Sequence, residues 1–469
     1  MSDNTLSSFK RTMHSRHLVM LSLGGVIGNG LFLSSGDTIQ QAGPVGAIIA
    51  YLIVAFGVYM IMMCLGELAV HMPESGAFSR YATEYINPAT GYVVGWLYWL
   101  TWAVALASEF TGIGLLMGKW FPAVPVWYWC VASIVLVFVL NMFAVRIFAE
   151  AEFWLSLVKV LTIVVFLVLG GLAIFGMAPA QHEAAPMFHN LVANGVFPHG
   201  VLPILMIMLT VSYAFSGTEL IGVAAGETVD PDKNLPVAIK TTLWRLIIFF
   251  VGTIIIIGAL LPSDLASAKQ SPFVIVLERM GIPYADDIIN LVIITALLSA
   301  ANSGLYAASR MLWTLADQKT LPSFLGRLSS NGVPRNALIL TMLGGLLSLL
   351  SSYYAADSLY LFLVSVSGFA VVVVWLVIGW SHLNFRRQYQ AGGGNMADLA
   401  YRAPFFPWVS IISIVFCVAC IAGIAFDPQQ RIALYCGLGF TVLCYLAYLL
   451  TGRNQTEAEI NTSLSEVES

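Results

Sequence analysis

Charged residues are scarce in this sequence. Asp, Glu, Lys and Arg together make up 10% of the 469 residues, whereas hydrophobic residues make up 59%. Soluble globular domains carry about 25% charged residues, so a soluble fold of this composition would expose apolar surface to water. The scarcity of charge therefore excludes an ordinary soluble protein and indicates a chain whose solvent is lipid.

The signatures of several protein classes are missing as well. There is no G-x-x-x-x-G-K-[ST] motif, so ATP does not drive this chain directly. The seven histidines lie in termini, loops or the ends of apolar runs, which leaves no clustered catalytic set for an enzyme. The six cysteines are interpreted as small buried hydrophobes. Neither a channel filter nor a basic nucleic-acid patch is visible, and no metal or cofactor is expected.

Long apolar runs are abundant instead. A membrane-spanning helix needs about 20 mainly apolar residues. Twelve such runs lie near residues 17–37, 43–71, 91–118, 124–145, 151–177, 199–225, 239–262, 285–314, 336–354, 359–382, 405–426 and 431–452. They predict an all-α integral membrane protein with twelve transmembrane helices. The transmembrane domain then covers residues 17–452, between a short segment at 1–16 and a polar tail at 453–469 that we expect to be disordered.

Basic residues are distributed unevenly over the connections between these runs. With the N-terminus inside, sixteen Lys and Arg residues fall in cytoplasmic segments and four in outer segments. The positive-inside rule therefore predicts that both termini are cytoplasmic. The remaining basic residue, Lys159, lies inside the fifth run.

Small and polar residues interrupt the first and the sixth run. Residues 21–30 contain four glycines within seven positions, and each costs about 1 kcal/mol in a helix relative to Ala. Residues 212–222 contain a similar interruption around Gly217. Paired breaks at corresponding positions of two halves are typical of a transporter site near the bilayer midplane. The alternative is that these glycines only allow close helix packing.

Broken helices supply the polar groups that such a site needs. Free backbone N–H groups can hold a carboxylate and free C=O groups can hold an ammonium, so a zwitterionic amino acid satisfies both. The predicted substrate-binding residues are Ile27, Gly28, Asn29, Gly30, Glu109, Tyr213, Ala214, Phe215, Ser216, Gly217 and Thr218.

Several short stretches, spread over most of the chain, carry a family resemblance. They read Leu23-Gly-Gly-Val-Ile-Gly, Cys64-Leu-Gly-Glu-Leu-Ala-Val, Gly95-Trp-Leu-Tyr-Trp, Ala149-Glu-Ala-Glu-Phe-Trp, Phe215-Ser-Gly-Thr-Glu-Leu-Ile-Gly and Ser299-Ala-Ala-Asn-Ser-Gly-Leu-Tyr. In them the chain resembles the amino acid–polyamine–organocation superfamily, specifically its bacterial amino acid transporter family. The resemblance implies the leucine-transporter fold and proton-coupled uptake across the bacterial inner membrane. That fold is a 5+5 inverted repeat, here about 17–177 and 199–382, plus two peripheral helices in 405–452.

Two further stretches bear on the substrate. Phe197-Pro-His-Gly and Ala425-Phe-Asp-Pro are similar to the S-methylmethionine permease, and the arginine/ornithine permeases share the second stretch. Asn29 stands where these relatives usually have Thr. Glu109 matches the arginine and aromatic permeases, whereas the S-methylmethionine permease has Ser there. The resemblance therefore implies S-methylmethionine or a cationic amino acid as the substrate.

Each ionisable residue inside an apolar run costs roughly 2.5–3.5 kcal/mol at the bilayer centre, so its presence there requires a physical explanation. Burial disfavours the charged form of a lysine, so Lys159 could exchange a proton. The resemblance implies that it replaces the sodium ion of related transporters and faces the broken first helix and the eighth run. Ser299, Asn302 and Ser303 are spaced to place polar groups on the face that would meet it, and Ser299 and Ser303 are predicted to take part in proton coupling with Lys159. Ordinary interhelical hydrogen bonding is the alternative for these three residues. Snorkelling of Lys159 is the alternative.

Two glutamates and one aromatic residue have competing interpretations. Glu109 either pairs with a cationic substrate or is a protonated packing acid. Glu219 is expected to hold the sixth run's break in shape, as a structural or gating residue, and contact with the substrate is the alternative. Phe215 is either an aromatic lid over the substrate or a core residue. Glu67 and Glu227 are expected near the cytoplasmic ends, in gating or loop structure.

The function predicted from the sequence is proton-coupled import of an amino acid by alternating access. An exchanger, or a broader permease for neutral and aromatic amino acids, is the alternative. The expected partners are the small-molecule substrate and membrane lipid, and the expected oligomeric state is a monomer or a weak homodimer. The proton is the coupling ion.

Overall fold

The computed structural model describes residues 11, 13–142, 145–177, 186–262, 271–281, 284–329, 332–428 and 430–467. Most of the predicted segment 1–16 and the last two residues of the predicted tail lie outside these ranges. The described residues form the helices α1 (Ser15–Val26), α2 (Asn29–Phe32), α3 (Ser34–His71), α4 (Ala77–Tyr85), α5 (Pro88–Met117), α6 (Val126–Asn141), α7 (Val145–Ile174), α8 (His189–Val192), α9 (Leu202–Ala214), α10 (Leu220–Val223), α11 (Pro231–Leu260), α12 (Pro272–Arg279), α13 (Ala285–Asp317), α14 (Arg335–Gly345), α15 (Ala356–Ala391), α16 (Trp408–Ile424) and α17 (Arg431–Val467).

Each of the twelve predicted spans falls in helical structure. Within the described residues, eight helical segments are long and apolar enough to cross a membrane. They are α3, α5, α7, α11, α13, Arg335–Ser352, α15 and α17. The fourth and eleventh spans form the shorter apolar helices α6 and α16, of 16 and 17 residues. At 1.5 Å per residue these two helices approach the hydrocarbon thickness of a bilayer. The first span is divided into α1, α2 and the start of α3, and the sixth span is divided into α9 and α10. The prediction of an all-α membrane protein is confirmed.

The boundary between the first two spans is a sharp bend inside α3. Gly43 has φ +74° and ψ 165°, a backbone conformation that favours glycine, and Pro44 follows it. A Cβ at Gly43 would come within 2.8 Å of the Pro198 side chain. The bend ends the first crossing and begins the second close to the predicted boundary.

The central and peripheral helices differ in burial. α5 is the most enclosed of the long helices and packs between α13 and α15. α17 is the least buried, and it contacts α5, α15 and α16 at the edge of the bundle. The polar site described below includes residues of α5, because α5 is the most buried of the long helices.

The last helix extends farther than the sequence suggests. α17 continues to Val467, so most of the segment 453–469 that we expect to be disordered is helical. Extending an existing helix avoids the unfavourable nucleation step. Glu and Ala in residues 457–459 are also good helix formers.

The connections alternate between two faces of the bundle. One face carries the backbone bridge between Met13 and Thr228, and we call it the N-terminal face. The opposite side carries the connection between α16 and α17, including Asp427, and we call it the distal face.

Candidate functional site

The first span is broken between α1 and α2. α1 ends at Val26, Ile27 and Gly28 leave the helical conformation, and α2 begins at Asn29. A helix end leaves its last carbonyl groups without partners in the helix. One of them, the carbonyl of Gly24, accepts a hydrogen bond from Nζ of Lys159 at 2.5 Å.

The sixth span is broken between α9 and α10. α9 ends at Ala214, and the chain turns through Gly217, whose φ of +105° favours glycine. The N–H of Gly217 donates to both carboxyl oxygens of Glu219 at 3.1 Å. Nε1 of Trp375 donates to Glu219 Oε2 at 3.2 Å. Glu219 thus contacts the backbone of the break, in the arrangement expected for a residue that holds it in shape.

The two breaks touch each other through their backbones. A Cβ at Gly30 would lie 2.5 Å from Cα of Ala214. A Cβ at Gly217 would lie 2.8 Å from the carbonyl carbon of Gly25. Any larger residue would force the two spans apart. Both interpretations of the glycines therefore hold, because they leave the helices broken and also let the breaks approach.

A small cavity lies between the breaks and α5. Its volume is about 10 Å³, close to the space that one water molecule needs. The predicted binding residues that line it are Gly28, Asn29, Gly30, Glu109, Tyr213 and Ser216. Those that do not line it are Ile27, Ala214, Phe215, Gly217 and Thr218.

Two lining residues on α5 were not predicted. Trp102 and Ala105 lie seven and four residues before Glu109 and share its face of the helix. Extending the helical period backwards from Glu109 would have identified both. Tyr360 was also missed, and a lone tyrosine near the start of an apolar run gives no such signal.

Among the described residues, Glu109 is the one carboxyl group that lines this cavity. Its side chain is buried, and Oε1 accepts a long 3.5 Å hydrogen bond from the N–H of Asn29. Oε2 has no hydrogen-bond partner among the described residues. A buried oxygen without a partner is costly. Glu109 thus presents an acceptor directly at the break in the first span.

Hydrogen bonds connect the break in the first span to three other spans. Nδ2 of Asn29 donates to Ser108 Oγ at 3.0 Å, and that oxygen lies 2.8 Å from the hydroxyl of Tyr213. The hydroxyl of Tyr360 donates to the Asn29 carbonyl at 3.2 Å and lies 2.7 Å from Ser34 Oγ. A movement of the first span would therefore disturb α5, α9 and α15 together.

Phe215 lies away from the cavity. Its ring centroid is 4.7 Å from that of Phe250 and 6.2 Å from that of Tyr51, in a buried aromatic cluster. Phe215 thus packs as a core residue in this structure, and its role as a lid over bound substrate stays a prediction. The two aromatic partners lie on α3 and α11.

The polar face of α13 meets a different residue from the one expected. Ser299 Oγ donates to Glu152 Oε1, and Nδ2 of Asn302 donates to Glu152 Oε2 at 3.3 Å. Ser303 Oγ has no hydrogen-bond partner among the described residues. The expected contact between this face and Lys159 is corrected to a contact with Glu152. Glu152 lies two helical turns before Lys159, so the polar face of α13 bonds to a different level of α7.

Lys159 is fully buried within this region. Its Nζ donates the hydrogen bond to the Gly24 carbonyl, which places a buried basic group beside the broken helix. The position inside the bundle argues against snorkelling to an interface.

Ion pairs tie the elements together at the N-terminal face. Glu227 pairs with the guanidinium of Arg310, and Tyr306 donates to Glu227 Oε1 at 2.9 Å. The N–H of Met13 donates to the Glu227 carbonyl at 2.9 Å.

A second group of charges lies at the same face. Glu67 pairs with Arg386 and lies 3.1 Å from Nε2 of His382. Glu67 and Glu227 thus lie where the sequence places them, near the ends of their spans, and this face is closed by buried charges.

Two broken helices that meet beside a buried polar pocket, in an all-helical membrane bundle, define a transporter of small solutes. The sequence model described as Amino acid permease matches residues 17–461. The chain belongs to this amino acid permease family, which lies in the superfamily named above. It is therefore a multi-pass membrane protein that transports amino acids and is not an enzyme.

Characterised relatives cover nearly the whole chain. The chain is 47% identical over 453 residues to the amino-acid permease RocE of Bacillus subtilis, covering 96% of this chain and 97% of the relative. It is 39% identical over 463 residues to the lysine-specific permease LysP of Lactococcus lactis, covering 95% and 90%. It is 38% identical over 454 residues to the histidine permease HisP of the same species, covering 94% of each.

A solved structure supports the fold. A manganese transporter of Eremococcus coleocola, in complex with an aromatic bis-isothiourea substituted compound, superposes with a TM-score of 0.53 at 13% identity. The match covers 96% of this chain and 98% of that transporter. At this identity the likeness concerns the fold alone. The preference for S-methylmethionine stays a prediction.

Proposed function

We propose that this protein imports a cationic amino acid, or the sulfonium compound S-methylmethionine, together with a proton. Transport proceeds by alternating access across the bacterial inner membrane, with the N-terminal face towards the cytoplasm. The single observation that carries the substrate class is Glu109, whose buried Oε2 has no hydrogen-bond partner among the described residues. A cationic side chain in the cavity would compensate this carboxyl group.

The breaks supply the remaining contacts for an amino acid. The N–H of Asn29 makes only a 3.5 Å hydrogen bond to Glu109, so a substrate carboxylate can replace that contact at low cost. Ser216 and Tyr213 line the opposite wall of the cavity. The α-carboxylate would then bind the first span while the side-chain cation binds Glu109. The name of the lysine-specific relative supports a basic side chain.

Lys159 is proposed as the proton-coupling residue. A protonated amine donates to the Gly24 carbonyl and attaches α7 to the end of α1. Loss of the proton weakens that hydrogen bond, because a charged donor binds about twice as strongly as a neutral one. The protonation state of Lys159 would thereby set how firmly the broken helix is held.

The closed cavity supports alternating access. A volume of about 10 Å³ cannot hold an amino acid, so the two breaks must separate before substrate enters. The N-terminal face is closed by the buried pair of Glu227 and Arg310. We propose that substrate enters from the distal face and leaves after this pair opens.

The deciding experiment is uptake of labelled arginine into proteoliposomes with and without an inward proton gradient. Proton symport predicts accumulation above the external concentration only with the gradient. If uptake ignores the gradient but responds to internal unlabelled amino acid, the protein is an exchanger. Competition by S-methylmethionine, arginine, lysine, histidine, leucine and phenylalanine defines the substrate class. Inhibition by the neutral amino acids alone would contradict the cationic preference.

A further inference from the structure

A larger cavity opens at the distal face, separate from the one between the breaks. Its volume is about 300 Å³, and its walls come from α3, α9, α15 and the connection between α16 and α17. Two aspartates line it, Asp37 and Asp427, and both side chains are largely buried. The described lining residues include no lysine, arginine or histidine. The described lining of this open cavity is therefore acidic.

A glutamine side chain donates a hydrogen bond to each aspartate. Nε2 of Gln41 donates to Asp37 Oδ2 at 2.7 Å, and Nε2 of Gln430 donates to Asp427 Oδ2 at 2.7 Å. The side chain of Gln430 is only 6% exposed, yet its Oε1 has no hydrogen-bond partner among the described residues. The cavity wall thus holds a buried acceptor in addition to the carboxylates, and it calls for a donor with positive charge.

The remaining wall suits an organic cation. Leu361 and Phe362 contribute apolar surface, while Ser358 contributes a hydroxyl. An alkyl chain can lie along apolar side chains while its charged end reaches the carboxylates, as lysine and arginine stems do. Within the described residues, no group of three or more His, Cys, Asp or Glu could hold a metal ion. The wall therefore matches a flexible ammonium or guanidinium compound better than an inorganic ion.

The distal cavity is adjacent to the central site. Leu361 follows Tyr360, whose hydroxyl contacts Asn29 in the broken first span. Thr210 lines the distal cavity one helical turn before Tyr213, which lines the central one. The two cavities are thus adjacent along α9 and α15, with Tyr360 between them.

We propose that the distal cavity is a separate binding site for the charged side chain of a basic amino acid, which occupies it before it enters the central site. The proposal rests on the proposed function for its direction of transport and its substrate class. The negative wall would concentrate cationic substrates at the entrance and exclude acidic ones. It would act on the apparent affinity and the selectivity of uptake, with little effect on the maximal rate.

Thiol labelling tests the cavity without requiring transport. Ser358 is exposed within it, and Ser352 is exposed on the same face outside it. Each is replaced by cysteine in a Cys436→Ser background, since Cys436 is the exposed cysteine among the described residues. Cationic and anionic methanethiosulfonates are then applied to the distal face, and the ratio of their rates at Ser358→Cys is divided by the ratio at Ser352→Cys. We expect a normalised ratio of about ten.

Charge removal and ligand protection complete the labelling test. Asp37→Asn with Asp427→Asn should bring the normalised ratio close to one. Arginine should slow labelling of Ser358→Cys, whereas citrulline, its uncharged counterpart, should not. Glu278→Gln, which removes an exposed acid of α12, is the matched control and should change neither result. A ratio near one in the parent, or equal effects of arginine and citrulline, would overturn the distal site.

Uptake kinetics provide an independent test of the distal site. Asp427→Asn should raise the KM for arginine about fivefold and leave the maximal rate within twofold, whereas Glu278→Gln should leave both unchanged. An unchanged KM in Asp427→Asn overturns the proposal. If the parent protein does not accumulate arginine, the proposed function fails, and charge-dependent protection of Ser358→Cys by arginine still supports the distal site. The two failures are therefore distinguishable.

Discussion

Nζ of Lys159 donates a hydrogen bond to the carbonyl oxygen of Gly24 at 2.5 Å. The carbonyl belongs to the last turn of α1, directly before the break in the first span. A buried cation thus caps the negative end of a helix that must move if the cavity is to open. This contact joins the residue that we propose for proton coupling to the broken first span.

Removal of the lysine side chain should uncouple transport from the proton gradient. Lys159→Ala should lower gradient-driven accumulation of arginine more than about tenfold, because no other described residue donates a charged hydrogen bond to Gly24. Exchange of internal for external arginine should persist. Uptake in proteoliposomes with and without a gradient measures both activities.

Two further lysine variants sharpen this test. Lys159→Arg keeps the charge but does not release a proton, so it should also fail to accumulate substrate. Lys119→Ala removes a partly exposed lysine that pairs with Asp286 at the distal face, and it should behave as the parent. Normal accumulation by Lys159→Ala would remove the coupling role.

Glu109→Gln should weaken binding of cationic substrates selectively. The change keeps the shape of the side chain but removes the charge that a cationic group would compensate. We expect the dissociation constant of arginine to rise about tenfold or more, since hydrogen bonds to charged groups contribute about 1.5–3 kcal/mol. Equilibrium binding of labelled arginine to purified protein measures it, and Glu84→Gln, an exposed acid on α4, is the control. Equal losses for arginine and citrulline would indicate a packing role for Glu109.

A methyl group between the two breaks should disrupt the site. Gly30→Ala places a Cβ 2.5 Å from Ala214, and Gly217→Ala adds one 2.8 Å from Gly25 at a positive φ. Each should destabilise the protein by about 1–3 kcal/mol and abolish uptake. Thermal unfolding in detergent and uptake assays measure the two effects.

The chain offers a matched glycine for comparison. Gly171 lies in α7, and a Cβ there would meet nothing within 4 Å. Gly171→Ala should therefore leave uptake unchanged and stabilise the helix slightly. If Gly30→Ala transported as well as Gly171→Ala, the close contact between the breaks would not matter for function.

The ion pair at the N-terminal face should be strongly coupled. Glu227→Gln or Arg310→Gln alone leaves a charge buried without its ionic partner, at a cost of about 3–5 kcal/mol. The double variant removes both charges and should recover part of this loss. A double-mutant cycle of thermal unfolding measures the coupling. Additive losses would show that the pair does not hold this face closed.

Much of the fold follows from the sequence alone. Apolar runs about 20 residues long determine the number of spans, because lipid requires every backbone polar group to be satisfied within a helix. The runs of small and polar residues around Gly28 and Gly217 identify both breaks, since the free-energy cost of placing glycine in a helix depends on the local sequence. Lys159 is visible because a cation is rare inside an apolar run.

Other features needed the tertiary structure. Ser299 and Asn302 bond to Glu152 and not to Lys159, and Phe215 faces Phe250 and not the cavity. In each case the helix that carries the residue agrees with the expectation from the sequence, but the group that its side chain contacts differs from the expected one. Direction depends on how each helix is rotated about its axis, and packing against neighbours sets that rotation.

The same distinction separates the two cavities. The sequence by itself determined a twelve-span amino acid permease with two broken helices and a buried lysine. Only the tertiary structure brought Glu109 to the N–H of Asn29 and placed Asp37 in one cavity with Asp427, from opposite ends of the chain. Local sequence patterns indicate that the chain lies in lipid and where its helices end. Contacts between residues that are distant in sequence arise from the packing of whole helices.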